Sequence, residues 1–172
     1  IRLARRDRAP LLLWGESLGS AVAALMAAAA PGSVDGLALI TPLASVPAVA
    51  SRHYPFVPSW LVRDAFRADL LLPRHPGPVA FLVAGRDEVV FPDLSRSLFD
   101  AFPGRKRLWL EPEAGHNGLD YHPGLPRWRE MLDLVVPPQM AVSSRRFWAR
   151  SIRSWLLMKL AKGWLVSTPM MA

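Results

Sequence analysis

Short apolar runs alternate with helix-forming segments along most of the chain, and this alternation constrains the fold more than any other feature. The runs LLLWG, GLALITPL and PVAFLVAG are typical of strands buried on both faces of a sheet, and KRLWLEP predicts a fourth strand. The segments LGSAVAALMAAAA, PDLSRSLFDAF and PRWREMLDLVV have helical composition or spacing. Strands alternating with helices predict an α/β fold with a mainly parallel sheet flanked by helices.

The length and composition favour one domain followed by a tail. The chain has 172 residues, and its hydrophobic content of 51% is enough for a sizeable core. It contains no cysteine, which excludes disulfides and thiolate chemistry. Residues 44–78 interrupt the alternation with prolines and aromatics, and we interpret them as an irregular insertion over a site, including a short helix within SWLVRDAFRADLLL.

The tail, residues 137–172, holds six basic residues and no acidic one, so nearly all of the net charge of +7 belongs to it. A poorly ordered or loosely packed extension is favoured over a membrane-surface helix through residues 144–166, because lysines fall on the face formed by Trp148, Ile152 and Trp155. Nucleic-acid binding is not expected, since the basic residues form no known reading motif. No secretory signal is visible, and a cytoplasmic or peripheral-membrane location is favoured.

The sequence GESLG, residues 15–19, matches the pattern G-x-S-x-G at the point where a strand becomes a helix. Such a sharp turn strains its central residue, and the flanking glycines are expected to keep side chains away from the neighbouring strand and helix. The turn would expose the Ser17 hydroxyl and direct the Leu18 N–H toward a developing oxyanion. A plain β–α turn is the alternative. The strand before it and the helix after it favour a nucleophile.

A serine nucleophile needs a general base, and four histidines are available. His116 follows a strand within the short turn EAGHNG, whereas His53 and His75 lie in proline-rich, irregular stretches. His122 is a weaker substitute for His116. The alternative for His116 is a solvated loop histidine, so the choice of base depends on an acid that would orient it.

Asp87 is the best candidate for that acid. It comes two residues after Gly85, at the end of the strand PVAFLVAG, while the adjacent Glu88 would point elsewhere. An aspartate at a strand end can instead simply cap a turn. The chain order Ser17, Asp87, His116, with each residue after its own predicted strand, supports a shared site.

The motifs LLLWGESLGS, VAGRDEVVFP and LEPEAGHNGL resemble the nucleophile elbow, acid loop and histidine loop of the α/β-hydrolase superfamily. The segment YPFVPSWLVRDAFRADLLL is similar to a membrane-associated branch near the serine aminopeptidase type. The resemblance covers roughly residues 1–135. It implies that residues 1–136 are the C-terminal part of an α/β-hydrolase domain, because that superfamily's early strands and His-Gly oxyanion loop should precede residue 1.

The resemblance implies a serine hydrolase that cleaves a small-molecule ester, thioester or amide through a triad of Ser17, Asp87 and His116, with the Leu18 N–H in the oxyanion hole. The alternative is a non-catalytic α/β-hydrolase remnant that binds a partner or a membrane surface through its tail.

The insertion is expected to act as a cap in such an enzyme. Tyr54, Phe56 and Trp60 would line the substrate pocket, with ordinary packing of an irregular segment as an equal alternative. No metal or organic cofactor is expected, since the histidines lack ligand spacing such as H-x-x-x-H.

Overall fold

A computed structural model of the chain describes residues 10–136, which form a sheet covered by helices on both faces. The predicted tail, with its membrane-surface segment 144–166, lies outside the described residues. All neighbouring strands are parallel and follow one another in chain order across the sheet. The strands are β1 (Leu12–Glu16), β2 (Gly36–Ile40), β3 (Val79–Ala84) and β4 (Lys106–Glu111). The predicted α/β fold with a parallel sheet is confirmed.

Each strand leads into a helix or a helical segment. The helices α4 and α5 both begin with proline, which has no N–H to lose in the first turn of a helix and already has a helical φ. The helices are α1 (Leu18–Ala29), α2 (Val46–His53), α3 (Ala68–Leu71), α4 (Pro92–Ala101) and α5 (Pro126–Val135), with 3₁₀ turns at Ser59–Leu61 and Leu72–Arg74.

The two central strands explain why their sequences are apolar throughout. Successive residues of a strand point to opposite faces, and both faces of β2 and β3 are covered. On one face, Leu39 and Phe81 share a cluster with residues of α1 and α4. On the other face, Ile40 and Leu82 share a cluster with residues of α5, including Met131. No residue of β2 or β3 is exposed, so the sheet forms the middle of three layers.

The insertion at residues 44–78 contains a helix that the sequence prediction missed. α2 occupies eight residues where an irregular chain was expected, so the prediction is wrong there. The Ser45 hydroxyl caps α2 by accepting the N–H of Ala48 at 3.2 Å, and Pro47 lies in its first turn. Both start signals are visible in the sequence. The expected helix within SWLVRDAFRADLLL is limited to the four residues of α3.

Among the helices of residues 10–136, none combines the length and the apolar character that crossing a membrane would require.

His75 is a buried titratable group that is not among the predicted catalytic residues. It follows the 3₁₀ turn before β3, and its N–H donates to the carbonyl of Leu72 at 2.9 Å. Burial is the larger influence on its ring and lowers the pKa of His75, while the negative charge of Asp35 opposes that change. The folded chain therefore prefers the neutral imidazole.

This preference predicts a pH-dependent loss of stability. The pKa of His75 lies below its usual 6.5 in the folded chain, so the unfolded chain binds the proton more readily. The stabilising contribution is complete above the unfolded pKa and is lost as the pH falls through and below it. We expect the free energy of unfolding, measured by urea titration, to fall less for His75→Gln than for the wild type between about pH 7 and pH 5. The exposed residue His53 supplies a control, His53→Gln, and an unchanged pH dependence in His75→Gln would contradict the prediction.

Candidate active site

Ser17 occupies the turn between β1 and α1 in a backbone conformation that is rare for residues with a side chain. Its φ is 51° and its ψ is −125°. Conformations of this kind cost about 1–3 kcal/mol and persist only where surrounding contacts enforce them. The Ser17 N–H donates to the carbonyl of Ile40 at 2.9 Å, and the Ser17 carbonyl accepts the Ser20 hydroxyl at 2.6 Å. The turn is thus bonded to β2 on one side and to α1 on the other.

The two glycines that flank Ser17 have different roles. A Cβ added at Gly15 would meet the carbonyl oxygen of Gly19 and lie 2.7 Å from the Cα of Ser20, so β1 and α1 approach too closely there for any side chain. A Cβ added at Gly19 would meet nothing within 4 Å. The expectation that both glycines make room for packing is therefore correct for Gly15 and wrong for Gly19.

The structure brings Ser17, Asp87 and His116 together. The Oγ of Ser17 lies 3.1 Å from the Nε2 of His116, and the Nδ1 of His116 lies 2.8 Å from the Oδ2 of Asp87. Each residue follows a different strand, and the carboxyl ends of parallel strands meet at one edge of a sheet. The three side chains form a continuous chain of hydrogen bonds.

The acid fixes the direction of these hydrogen bonds. An ionised carboxylate only accepts, so Nδ1 of His116 carries the proton that is donated to Asp87. In a neutral imidazole, Nε2 is then the acceptor and faces the Ser17 hydroxyl. This is the tautomer that a general base for Ser17 requires.

Asp87 also caps a turn, as the simpler interpretation of the sequence suggested. Its buried Oδ1 accepts the backbone N–H groups of Val89 and Val90 at 2.9 and 2.7 Å. The same carboxylate therefore bonds its own loop and His116. Glu88 points into solvent, as expected.

Of the other two predicted groups, the N–H of Leu18 lies beside Ser17 and the ring of His122 bonds elsewhere. Leu18 is the first residue of α1, and the first N–H groups of a helix have no partner within it, so this N–H is available beside Ser17. The ring of His122 accepts the N–H of Gly124 at 3.2 Å and is not part of the Ser17–His116–Asp87 chain. In the part of the chain that the structure describes, no group of three His, Cys, Asp or Glu residues is arranged to hold a metal ion.

The three aromatic residues predicted to line a pocket are strongly exposed. The exposed fractions are 64% for Tyr54, 97% for Phe56 and 79% for Trp60. Exposure at this level corresponds neither to an enclosed pocket nor to ordinary packing among the described residues. Exposed apolar side chains that lie close together are typical of contact surfaces.

This aromatic segment begins beside the loop that carries Asp87. His53, the last residue of α2, lies with its Nε2 3.0 Å from the carbonyl of Val89. The guanidinium of Arg52 lies 4.6 Å from the ring centre of Phe91. The end of α2 is thus attached to the loop that follows β3, and Tyr54 comes next in the chain.

One hydrogen bond near the site has no signal in the sequence. The hydroxyl of Tyr121 donates to Oε1 of Glu16, the residue before Ser17, at 2.9 Å. The two residues are 105 positions apart, and no motif relates them. A glutamate at the second position of G-x-S-x-G was visible, but its partner was not.

Solved structures resemble the described architecture over much of the chain. BpoC of Mycobacterium tuberculosis H37Rv, assigned as a non-heme bromoperoxidase, gives a TM-score of 0.55 at 17% identity, covering 75% of this chain and 69% of BpoC. Acetyl xylan esterase 1 of Thermoanaerobacterium sp. JW/SL YS485 gives 0.55 at 17% identity, covering 75% of this chain and 45% of the esterase. The chain has the α/β-hydrolase fold. The esterase domain of a Rhodothermus marinus protein matches this hydrolase fold with a TM-score of 0.50 at 21% identity, covering 85% and 59% of the two chains.

Sequence comparison gives longer relatives. The uncharacterized proteins MT2364 and Rv2307c, from two strains of Mycobacterium tuberculosis, are each 34% identical to this α/β-hydrolase-fold chain over 130 residues. The match covers 75% of this chain and 44% of each relative, so the chain spans less than half of their length. No protein-family model matches the sequence.

The different surroundings of Gly15 and Gly19 lead to opposite predictions for the same substitution. Gly15→Ala forces β1 and α1 apart and is expected to cost about 1–3 kcal/mol of the free energy of unfolding. Gly19→Ala adds a methyl group in open space within a helix and is expected to raise stability by up to about 1 kcal/mol. Thermal unfolding followed by circular dichroism measures both. Equal effects of the two substitutions would show that the glycines act alike.

Proposed function

We propose that this chain forms the nucleophile, acid and base region of a serine hydrolase that cleaves an ester, a thioester or an amide. The observation that carries the proposal is the hydrogen-bonded chain from Asp87 through His116 to Ser17. The strained conformation of Ser17 and the α/β-hydrolase fold support it independently. The similar solved structures include enzymes named esterases, and we extend that class to this chain as part of the proposal.

In the proposed reaction, Oγ of Ser17 attacks the carbonyl carbon of the substrate while Nε2 of His116 takes the hydroxyl proton. The resulting oxyanion accepts a hydrogen bond from the N–H of Leu18. Collapse of this intermediate breaks the bond to the alcohol, thiol or amine, which leaves with the proton from His116. Water then attacks the acyl group on Ser17 while His116 takes its proton. The bond between the acyl carbon and Oγ breaks, the carboxylic acid leaves, and His116 returns the proton to Oγ of Ser17.

Asp87 would hold His116 in the tautomer described above and stabilise the imidazolium that forms when the proton moves. Because Asp87 is also bonded to the N–H groups of Val89 and Val90, its carboxylate cannot rotate freely. The acid is therefore fixed in place before the substrate arrives, which reduces the reorganisation needed during the reaction.

The oxyanion hole of this fold takes a second N–H from a loop that precedes the nucleophile in the chain. Among residues 10–136, Leu18 is the donor that we assign. Loss of one such donor costs about 2.7–4 kcal/mol of transition-state stabilisation. Covalent labelling requires only the first attack by Ser17, whereas turnover also requires release of the acyl group. Labelling is therefore the more direct assay of the nucleophile.

Covalent labelling by a fluorophosphonate probe tests the nucleophile. We expect the wild type to be labelled and Ser17→Ala not to be, because the probe reacts with an activated serine hydroxyl. Ser97→Ala, which changes an exposed serine on α4, is the matched control and should be labelled like the wild type.

Asp87→Asn should slow turnover of an ester by about 10⁴-fold, whereas Glu88→Gln should not.

Absence of labelling in the wild type, or labelling that survives Ser17→Ala, would refute the enzyme proposal. Either result would favour a non-catalytic protein with a hydrolase fold, which binds a partner or a membrane surface through its tail.

We also propose that Tyr54, Phe56 and Trp60 contact an apolar part of the substrate. The attachment of α2 to the Asp87 loop and the exposure of all three rings support this assignment. Phe56→Ala and Trp60→Ala are each expected to lower kcat/KM for a long-chain p-nitrophenyl ester by roughly 5- to 30-fold, the loss of about 1–2 kcal/mol of apolar burial.

The same variants should barely change kcat/KM for the acetyl ester, whose acyl group has only one methyl to bury. Leu25→Ala on α1 removes another exposed apolar side chain and serves as the control. An equal loss for short and long esters would contradict a role in recognising the acyl chain.

A further inference from the structure

The loop that carries His116, between β4 and α5, is held on both sides of the histidine. Before it, the carbonyl of Ala114 accepts the N–H of Arg86 at 2.8 Å, directly next to Asp87. After it, the hydroxyl of Tyr121 donates to Glu16 at 2.9 Å, directly next to Ser17. One bond therefore joins the histidine loop to the acid loop, and the other joins it to the nucleophile turn.

The side chain of Tyr121 is itself held firmly by packing. Its buried ring stacks on Trp128 of α5, with ring centres 5.7 Å apart and an angle of 14° between the planes. The indole N–H of Trp128 donates to the carbonyl of His122 at 3.1 Å, and its ring lies 5.9 Å from that of Trp14 in β1. The segment just after His116 is thus packed against both α5 and the strand that ends at Glu16.

The Tyr121 hydroxyl keeps its proton at neutral pH and can therefore donate to Glu16. Burial is the main cause that raises the pKa of Tyr121 above its usual value, followed by the negative charge of Glu16 and the hydrogen bond to it.

Arg127 holds the start of the same loop, because it forms an ion pair with Glu111 at the end of β4. Its guanidinium also lies 4.7 Å from the ring centre of Trp128.

We propose that Glu16 and Tyr121 are positioning residues, whose hydrogen bond holds His116 at the distance from Ser17 that proton transfer requires. The inference rests on the proposed function. Six residues, 115–120, lie between the attachments at Ala114 and Tyr121. The carbonyl of Asp120 also accepts a hydrogen bond from Arg127, but that bond leads to α5, whereas the Tyr121 bond leads to the residue before Ser17. Removing the Tyr121 bond therefore loosens His116 relative to the Ser17 hydroxyl. A misplacement of about 1 Å can cost a reaction roughly 100-fold in rate. Glu16 thus has a role as the second residue of G-x-S-x-G that the motif itself does not specify.

Tyr121→Phe is the sharpest test, because it removes the hydroxyl and keeps the ring stacked on Trp128. We expect the second-order rate of fluorophosphonate labelling and kcat for an ester to fall roughly 10-fold, with KM unchanged. Glu16→Ala should have the same effect, and the double variant should be no slower than either single one. Glu16→Gln keeps an oxygen that can accept the Tyr121 hydroxyl and should restore most of the rate.

Glu130→Ala is the matched control. It also removes a carboxylate that accepts a hydrogen bond from an aromatic side chain, in this case from the indole N–H of Trp109 at 3.0 Å. Its labelling rate should equal that of the wild type. Thermal unfolding of each variant shows that the chain is folded at the assay temperature.

The outcomes separate the two proposals. If the wild type is labelled and Tyr121→Phe is labelled at the same rate, the positioning role is wrong while the proposed function stands. Additive effects in the double variant, or a rise in KM with kcat unchanged, would also overturn the positioning role. If the wild type itself is not labelled, the proposed function is wrong and the positioning role with it.

Discussion

Parallel pairing of the strands is the constraint on which the rest of the structure depends. Each strand runs in the same direction, so the turns after β1, β3 and β4 lie along a single edge of the sheet. Those turns carry Ser17, Asp87 and His116. An antiparallel neighbour at any step would have sent one of these residues to the opposite edge, about the length of a strand away.

Much of this arrangement could be predicted because it depends on local sequence. The apolar runs of β2 and β3 indicate burial on both faces, and glycine at position 15 indicates a close approach of strand and helix. The order of Ser17, Asp87 and His116, each after its own strand, was enough to suggest that they share a site. Their catalytic roles remain predictions, and the structure adds their distances.

The features that the sequence did not predict depend on contacts between segments, which no local motif indicates. α2 was missed because prolines and aromatics around it outweighed the capping signal of Ser45. The space around Gly19 depends on the exit direction of α1, which a motif cannot specify. The bond between Glu16 and Tyr121 joins residues from opposite ends of the described chain. Such pairs become visible only when the sheet has been assembled.

The hydrogen bonds of the site also differ in what they cost the folding chain. The bonds of Asp87 to Val89 and Val90 close loops of two and three residues, whereas the contact between His116 and Ser17 closes one of 99. The entropy lost on closing a loop grows with its length, so the Asp87 loop costs less to close than the contact between His116 and Ser17. The contact through which the proposed proton transfer would run is therefore the hydrogen bond of the Ser17–His116–Asp87 chain that costs the most entropy to close.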